Sequence, residues 1–534
     1  MAKCRQTVIV NSLLPGIVVF SILTSIFIII FSTLLLHSSK INWKEFIDDK
    51  YLWNVIIFTF WQASLSTLLS VIPSIFLAKS LFRLHFPGRI LFLRLCSVIL
   101  VLPSLVIILG ILTVYGRMGW IAQFFQLLGI NYKFTIYGIK GIILTHIFFN
   151  IPLSTRMLLL ALENIAVEQR QLAAQLGMNQ LQHFYILEWP YLRKQILPTS
   201  TLIFMLCFTS FTTVLTIGGG PSATTIELAI YQSLSLDFDL NKAAFLTLIH
   251  FFCCLVIILL SQKLNVTFSV GSSRQLQWKN TVYDKWQKLY DILLIGIAIF
   301  FLITPLLAII IDGLNLTLLY ALKQPGLWQA FINSFFIAIS SGILCIILTI
   351  MILWSSRELQ LRRSIILHRA LELSGLLIFS IPSIVLATGF FLLLNKIVTL
   401  IYLPYSLIIL TNALIAIPYA LKILENPMYS LAERYNLLCI SLQIKGVNKL
   451  CLIELRALRY TIGEAFAFSC ILSIGDFSIM ALFGNENLRT LSYYLYQQFG
   501  SYRNNDAAVT ALLILLICFS LFSLLEYLSG KLYD

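Results

Sequence analysis

Residues 168–198, "EQRQLAAQLGMNQLQHFYILEWPYLRKQILP", form a polar segment in a chain that is otherwise strongly apolar. The 534 residues are 59% hydrophobic and only 11% charged, a composition far from that of soluble proteins. A helix needs roughly 20 apolar residues to cross a bilayer, and the runs on either side of the segment reach that length. The segment therefore connects two membrane spans and is too polar to be a span itself.

Apolar runs of this length recur along the whole chain. We expect about 12 transmembrane helices, because these runs are continuous, whereas the strands of a membrane barrel alternate and are about ten residues long. The predicted fold class is an all-α polytopic membrane protein. Most of the 37 basic residues fall on one side of this topology, which predicts that both termini are cytoplasmic. This bias also explains the net charge of +14, so the lipid bilayer is the expected surroundings and no nucleic acid is needed as a partner.

The polar segment occurs twice. When the sequence is aligned with itself so that Glu188 lies over Glu454, the surrounding residues match at several positions, and Ser210 of the next span lies over Asp476. An even number of predicted spans separates the copies, which predicts two parallel repeats of about six helices each. The predicted first half is residues 1–262, with its polar segment at about 165–195. A linker at 263–288 leads to the second half, residues 289–534, with its polar segment at about 431–460.

The polar segment has the pattern of a short helix, a break and a second short helix. Ile165, Leu172, Ala173 and Leu176 form one apolar stripe, and Gly177 is a residue type that commonly ends a helix. We therefore expect an interrupted helix on the cytoplasmic side of the membrane.

Three interpretations of this segment are open to test. A helix lying on lipid headgroups usually has several Lys or Arg on its polar face, but residues 165–184 contain only Arg170. A catalytic loop would need a nucleophile, a base or a metal site, and the segment has no such group of residues. Duplication favours the third interpretation, a docking site, because a symmetric pair of partner subunits would need two.

The remaining sequence has no sign of enzyme chemistry. It lacks the G-x-x-x-x-G-K-[ST] loop that binds nucleotide phosphates. Its six histidines and ten cysteines are dispersed, without the spacing of a metal site. We expect no enzymatic activity, no catalytic residue, no metal and no cofactor.

The first copy resembles the cytoplasmic signature of the permease subunits of bacterial binding-protein-dependent ABC importers, E-A-A-x-x-x-G followed by I-x-L-P. Gln171 and Ala173 stand in the first part of that signature, Gly177 at its glycine, and Glu188 and Pro190 in its second part. In that family the segment is the coupling helix, which sits in a cleft of the ATP-binding subunit. The resemblance implies the same ATPase-coupling role here.

The second copy departs further from the signature. Leu442 and Glu454 match the first copy, but Cys439 stands at the second alanine and Gln443 at the glycine. Gly446, three residues later, is an alternative position for the turn. The resemblance implies that these residues also belong to a coupling segment.

Two fused permease halves in one chain are similar to the iron(III) and thiamine branches of this family. The stretch "SIGDFSIMALFGNENLRTLSYYLYQQFG", residues 473–500, looks like the thiamine and thiamine pyrophosphate permeases. The resemblance implies an inner-membrane permease that moves thiamine and its phosphate esters into the cytoplasm. It also implies two copies of an ATP-binding subunit on the cytoplasmic face and a periplasmic thiamine-binding protein.

Two alternatives remain at this stage. An iron(III) permease differs only in its cargo. A secondary transporter of the major facilitator type also has two parallel halves, but its signature loop carries an acid beside arginines, and the corresponding loop "LAKSLFRLHFPGRI" has no acid.

A few polar residues in the spans are candidates for the substrate pathway. Asp476 lies in an otherwise apolar predicted span, with Ser210 as its repeat counterpart, and an ionisable residue at that depth is expensive and marks a functional hypothesis. It is either a structural or gating acid or part of a cation pathway. His146 and Asn150, four residues apart on one helix face, either line the path or hydrogen-bond between helices. The aromatic residues Tyr493, Tyr494, Tyr496 and Phe499 suit either an interfacial belt or contact with the binding protein.

Overall fold

The computed structural model describes residues 10–38, 48–130, 134–264, 285–361, 381–394, 403–444, 446–485 and 488–530, and the single residues 364, 367, 368, 371, 375 and 378. Every regular element in these ranges is helical, which confirms the all-α polytopic fold. Ten of the described helices are long and apolar enough to cross a membrane, and a bent helix pair raises the number to eleven. Of the predicted span at 371–395 the structure describes residues 371, 375, 378 and 381–394, with α16 in its second half, whereas the predicted linker at 263–288 lies largely outside the described residues.

The helices of the first sequence half include one strongly bent pair. In order they are α1 (Val10–Ser38), α2 (Lys50–Arg83), α3 (Arg89–Val101), α4 (Ser104–Tyr115), α5 (Trp120–Leu127), α6 (Ile139–Glu163), α7 (Val167–Gln175), α8 (Gln180–His183), a π-helical turn (Phe184–Glu188), α9 (Trp189–Phe208), α10 (Phe211–Ile217), a 3-10 turn (Pro221–Ala223), α11 (Ile226–Ser235) and α12 (Leu240–Leu264).

The second half follows a similar order. Its helices are α13 (Lys285–Gly313), α14 (Leu318–Lys323), α15 (Pro325–Leu361), α16 (Ser383–Leu394), α17 (Leu403–Ser441), α18 (Val447–Lys449), a second π-helical turn (Leu450–Glu454), α19 (Leu455–Gly475), α20 (Ser478–Phe483), α21 (Leu491–Gly500) and α22 (Asn504–Gly530).

Packing divides the chain into two compact units. Unit I holds the described residues of 1–45, 230–252 and 315–534, and unit II holds those of 46–229 and 253–314. The first helix of each sequence half therefore packs in the unit formed mainly by the other half. The boundary predicted between the halves remains a prediction about the duplication, since packing follows a different division.

Unit II is built around α2, which packs along α6, α9 and α13. Ser66, Ser70 and Ser74 are buried along one side of α2, and Ser154 of α6 contacts Ser74 there. Small polar residues allow close approach of membrane helices and hydrogen-bond between them. The sequence of α2 therefore fits a buried position in the centre of its unit.

Unit I has its core where α15, α17 and α19 meet, and α1 packs along α15. The backbone N–H of Gly16 in α1 donates to Ser355 Oγ of α15 at 2.8 Å. A Cβ atom at position 16 would lie 2.4 Å from the Cβ of Ser355, so only glycine permits this approach. A glycine near the start of α1 thus fixes how this helix joins the unit.

A span is broken at the same place in both halves. Helix α9 ends at Phe208 and α10 begins at Phe211, with a bend of 51° between the pieces. Helix α19 ends at Gly475 and α20 begins at Ser478. Non-helical backbone at membrane depth must be shielded by protein or line a cavity, so these breaks are candidate functional positions.

Candidate functional site

The first polar segment ends its helix in a left-handed turn. After α7, the N–H of Gly177 donates to Ala174 O and the N–H of Met178 donates to Ala173 O, both at 3.1 Å. Gly177 has a φ of 64°. This pair of bonds is the Schellman motif, in which a left-handed residue ends the helix.

The second polar segment forms the same turn without glycine. The N–H of Gln443 donates to Ile440 O at 3.2 Å, and the N–H of Ile444 donates to Cys439 O at 2.9 Å. Gln443 itself has a φ of 55°. The turn therefore falls at the position that matches Gly177, and Gly446, the alternative, forms a separate turn before α18.

Each segment then continues into a π-helical turn, and the two turns occupy matching positions. Phe184–Glu188 lies over Leu450–Glu454 in the repeat alignment. A π turn holds an extra residue within a helix and often occurs at functional sites. In both segments the turn ends on the matched glutamate, and both glutamates are only 1% exposed.

Glu188 is surrounded by basic groups. Its Oε2 lies 3.6 Å from Lys79 Nζ and 3.7 Å from Arg83 Nη2, both in the last turns of α2, and its Oε1 lies 3.3 Å from His183 Nδ1. Lys79 Nζ also lies 3.7 Å from the centre of the Phe184 ring, a cation–π contact. The first segment is thus held against the end of α2 by charge.

Glu454 has an equivalent but more deeply buried partner. It forms an ion pair with Arg357 of α15, which is also 1% exposed. Glu358 Oε1 lies 2.8 Å from Arg357 Nη2 and 3.9 Å from Lys449 Nζ, and Lys449 lies over His183 in the repeat alignment. Buried charges are stable only when paired, so the second segment is fixed to α15.

Polar contacts also anchor α7. The guanidinium carbon of Arg170 lies 4.4 Å from the centre of the Phe82 ring, and its Nη2 donates to Leu162 O at 3.1 Å. Burial lowers the pKa of Arg170, while the charge of Glu163 acts in the opposite direction. The hydroxyl of Tyr191 donates to Gln169 Oε1 at 3.3 Å. The helix is held to α2, α6 and α9, and its outward side is left open.

The outward sides of both segments carry apolar residues at matching positions. There are four such residues in each segment, and all eight side chains are 50–69% exposed. Contiguous exposed apolar residues mark interaction sites more often than isolated ones do. We call each set of four a docking face: Leu172, Leu176, Leu181 and Ile186 in the first segment, and Leu438, Leu442, Val447 and Leu452 in the second.

The predicted coupling residues divide into two groups by burial. Ala173 and Cys439, at matching positions, are 2% exposed, and like the two glutamates they hold the segments in place rather than face outward. The exposed members are Gln171, Gly177, Leu442 and Gln443. Pro190 is partly buried near the start of α9.

Sequence reasoning missed the cations that bind the glutamates, Lys79, Arg83 and Arg357. A signal existed for the first pair, because Lys79 and Arg83 are four residues apart at the end of a span whose loop contains no acid. Two cations in such a place need an acid from elsewhere. Nothing comparable in the sequence points to Arg357.

The pathway candidates in α6 are occupied by hydrogen bonds inside unit II. His146 Nδ1 lies 3.0 Å from Ser66 Oγ of α2, and Asn150 Nδ2 donates to Cys207 Sγ of α9 at 3.1 Å. Both side chains are buried. This arrangement supports the interpretation that they hydrogen-bond between helices.

A matching interhelical bond exists in unit I. Asn412 lies over His146 and Ser473 lies over Cys207 in the repeat alignment. Asn412 Nδ2 donates to Ser473 Oγ at 2.8 Å, joining α17 to α19. Each half therefore has a polar bond between the corresponding pair of helices, just before the break in the span.

Asp476 and Ser210 lie in the two breaks. Ser210 Oγ donates to Cys207 O at 2.7 Å. Asp476 accepts hydrogen bonds from the backbone of Ser478 and Ile479, which caps the short helix that follows. Its Oδ2 has no hydrogen-bond partner among the described residues.

Aromatic rings surround the second break. The ring of Phe477 lies 4.9 Å from that of Tyr496 and 6.4 Å from that of Tyr493. Tyr494 is buried, and its hydroxyl donates to Gln324 at 2.8 Å. Tyr493 and Tyr496 thus pack against Phe477, the residue after Asp476, and Tyr494 is bound within unit I, so only part of the aromatic group is available to lipid or a partner. In the described part of the chain no three His, Cys, Asp or Glu side chains are grouped as a metal site.

Comparison with known proteins adds independent information. Residues 70–267 match the family described as binding-protein-dependent transport system inner membrane component. The thiamine transport system permease protein of Salmonella typhimurium is 52% identical over 531 residues, which is 99% of both chains. The protein of the same description from Escherichia coli has the same identity and coverage. That of Haemophilus influenzae is 40% identical over 521 residues, 96% of this chain and 95% of the relative.

Proposed function

We infer the function from the premise that this chain belongs to the family of binding-protein-dependent transport system inner membrane components. We propose that it is the permease subunit of an ABC importer, and that it moves thiamine and its phosphate esters across the inner membrane. A separate ATP-binding subunit supplies the energy, and a periplasmic binding protein delivers the cargo. The permease itself makes and breaks no covalent bond.

The observation that carries this proposal is the pair of docking faces. Two segments with the same turn, the same π-helical turn and four matched apolar positions suit two copies of one partner subunit. Burial of such side chains supplies binding energy in proportion to the apolar area covered. We propose that each docking face binds one ATP-binding subunit on the cytoplasmic side, with both termini on that side.

Thiamine is proposed as the cargo because the relatives that match over the whole length are thiamine permeases by description. An iron(III) permease would explain the fold equally well, but not these relatives. A secondary transporter is not favoured, because the duplicated docking faces would then have no partner.

Substitutions in the docking faces test this function. We expect Leu176→Glu and Leu442→Glu each to lower co-purification of the ATP-binding subunit at least tenfold, because burying a leucine is worth about 1.5–3 kcal/mol. Leu316→Glu is the matched control, since Leu316 is fully exposed between α13 and α14. Normal co-purification of both docking-face variants would contradict the proposed docking sites.

Asp476 is the proposed pathway residue for the thiazolium cation. A cation is attracted both to an acid and to aromatic faces, and Phe477, the next residue, packs against the rings of Tyr493 and Tyr496. Ser210 is its counterpart in the other break, while His146 and Asn150 act as interhelical supports. We expect Asp476→Asn to lower thiamine uptake severalfold and to leave assembly and ATP hydrolysis intact. Failed assembly would assign Asp476 a structural role instead.

A further inference from the structure

Each polar segment, which we call a docking segment from here on, is tied to a core helix through one buried glutamate. We name the group of Glu188, Lys79, Arg83 and His183 the first latch, and the pair of Glu454 and Arg357 the second latch. We propose that Glu188 and Glu454 are positioning residues that transmit movement of the docking segments to α2 and α15. This inference rests on the proposed function, because it assumes that an ATP-binding subunit moves the segments.

The latches lie at the junction between the docking face and the membrane helices. Ile186 and Leu452 belong to the docking faces, and each is two residues before the matched glutamate. Both residues of each pair lie within one π-helical turn, so a displacement of the face reaches the glutamate directly through the backbone of that turn. The glutamates are therefore placed to sense a force on the docking face without contacting the partner.

The other side of each latch belongs to a helix that runs through the core of its unit. Lys79 and Arg83 are in the last turns of α2, which packs along α6 and α9. Arg357 is near the end of α15, which packs along α17 and α19. Movement of these ends would tilt helices that contact the broken spans.

Each latch helix is also braced by a helix from the opposite sequence half. Ser80, next to Lys79, donates to Asp291 Oδ1 of α13 at 2.7 Å. Ser355, two residues before Arg357, accepts the N–H of Gly16 from α1 at 2.8 Å. A serine beside each latch thus contacts the helix that comes from the other sequence half.

The chemistry of the latches also favours a mechanical role over a purely stabilising one. Buried ion pairs often add less stability than well-packed apolar residues would. In the first latch, Lys79 and Arg83 lie 3.6 and 3.7 Å from the carboxylate, beyond ordinary hydrogen-bonding distance. Several cations at this distance can exchange around one carboxylate as the segment moves. In the second latch a single guanidinium, that of Arg357, pairs with both Glu454 and the neighbouring Glu358.

The test uses the complete complex of permease and ATP-binding subunit in lipid nanodiscs and in proteoliposomes. The variants are Glu188→Gln and Glu188→Asp, with Glu425→Gln as the control. Glu425 forms an exposed pair with Lys422 at 3.4 Å, so this control removes the same charge away from the latches. The measurements are co-purification, ATP hydrolysis, thiamine uptake per ATP hydrolysed, and ATP-dependent hydrogen exchange at residues 77–83 and 167–188.

We expect Glu188→Gln to retain the ATP-binding subunit and basal ATP hydrolysis, while uptake per ATP falls at least tenfold. ATP should still change the exchange of residues 167–188 but no longer that of residues 77–83. Glu188→Asp, which keeps the charge, should recover part of the uptake, and Glu425→Gln should behave as the unmodified complex.

Two results would overturn the proposal. One is unchanged uptake per ATP with the Glu188→Gln variant. The other is loss of the ATP-binding subunit from that variant, which would make Glu188 a structural residue. A wrong cargo can be told apart from a wrong role for the latches. If thiamine is not the cargo, it would have no effect on the unmodified complex, while the hydrogen exchange at residues 77–83 would still respond to ATP.

Discussion

A left-handed residue closes the helix in each docking segment, Gly177 in one and Gln443 in the other. For residues other than glycine this backbone conformation costs roughly 1–2 kcal/mol, so the second segment already bears a strain that the first avoids. From the sequence we considered Gly446 as an alternative position for the turn, because glycine is the usual residue in this conformation. The helix instead ends where its matched partner ends, because the hydrogen bonds of the Schellman motif set the position of the turn.

This difference predicts unequal effects of the same substitution. Gly177→Arg should lower coupled uptake about tenfold, because it adds roughly 1–2 kcal/mol of backbone strain at a position where a Cβ meets no neighbour. Gln443→Arg adds no such strain and should cost much less. Uptake of radiolabelled thiamine into proteoliposomes measures both, and Gln443→Gly should be at least as active as the unmodified protein. Equal losses in the two arginine variants would show that backbone conformation is not the cause.

At the scale of elements, the exchange of first helices between the halves is the feature that hydropathy could not predict. Apolar runs gave the positions of α1 and α13, because a membrane helix needs only length and composition. The packing partner of a helix depends on surface shape, such as the small gap at Gly16 that admits Ser355. The breaks at Ser210 and Asp476 were also hidden, because the apolar run continues through them. The repeat alignment showed the latch glutamates as identical residues in the two halves, but it did not show that they are buried.

The packing of α1 predicts a large effect for a small change. Gly16→Ala should lower the thermal unfolding midpoint of the purified permease, because overpacking typically costs about 1–3 kcal/mol and the added Cβ would lie 2.4 Å from the Cβ of Ser355. Gly296→Ala in α13 is the matched control, since a Cβ there meets no atom within 4 Å. It should leave the midpoint unchanged or raise it, because alanine favours helix over glycine by about 1 kcal/mol. A midpoint for Gly16→Ala equal to that of the control would refute the close approach.

At the scale of the whole molecule, the duplication organises every feature of the candidate site. The docking faces, the latch glutamates and the broken spans lie at matching positions of the two halves, and each half has an interhelical polar bond between the corresponding helices. The sequence alone was sufficient for the class of protein, since composition and the repeated polar segment both indicate it. The cations of the latches come from distant parts of the chain, and only the folded arrangement reveals them.

The central claim is that this permease uses ATP hydrolysis to import thiamine. Its most direct test is the ATP hydrolysis rate of the reconstituted complex with the periplasmic binding protein, measured with thiamine and with iron(III) as the loaded ligand. We predict that the thiamine-loaded protein stimulates hydrolysis severalfold and that the Leu176→Glu variant abolishes the stimulation. No response to any form of thiamine, with stimulation by an iron-loaded partner, would contradict the account and assign the permease to the iron(III) branch.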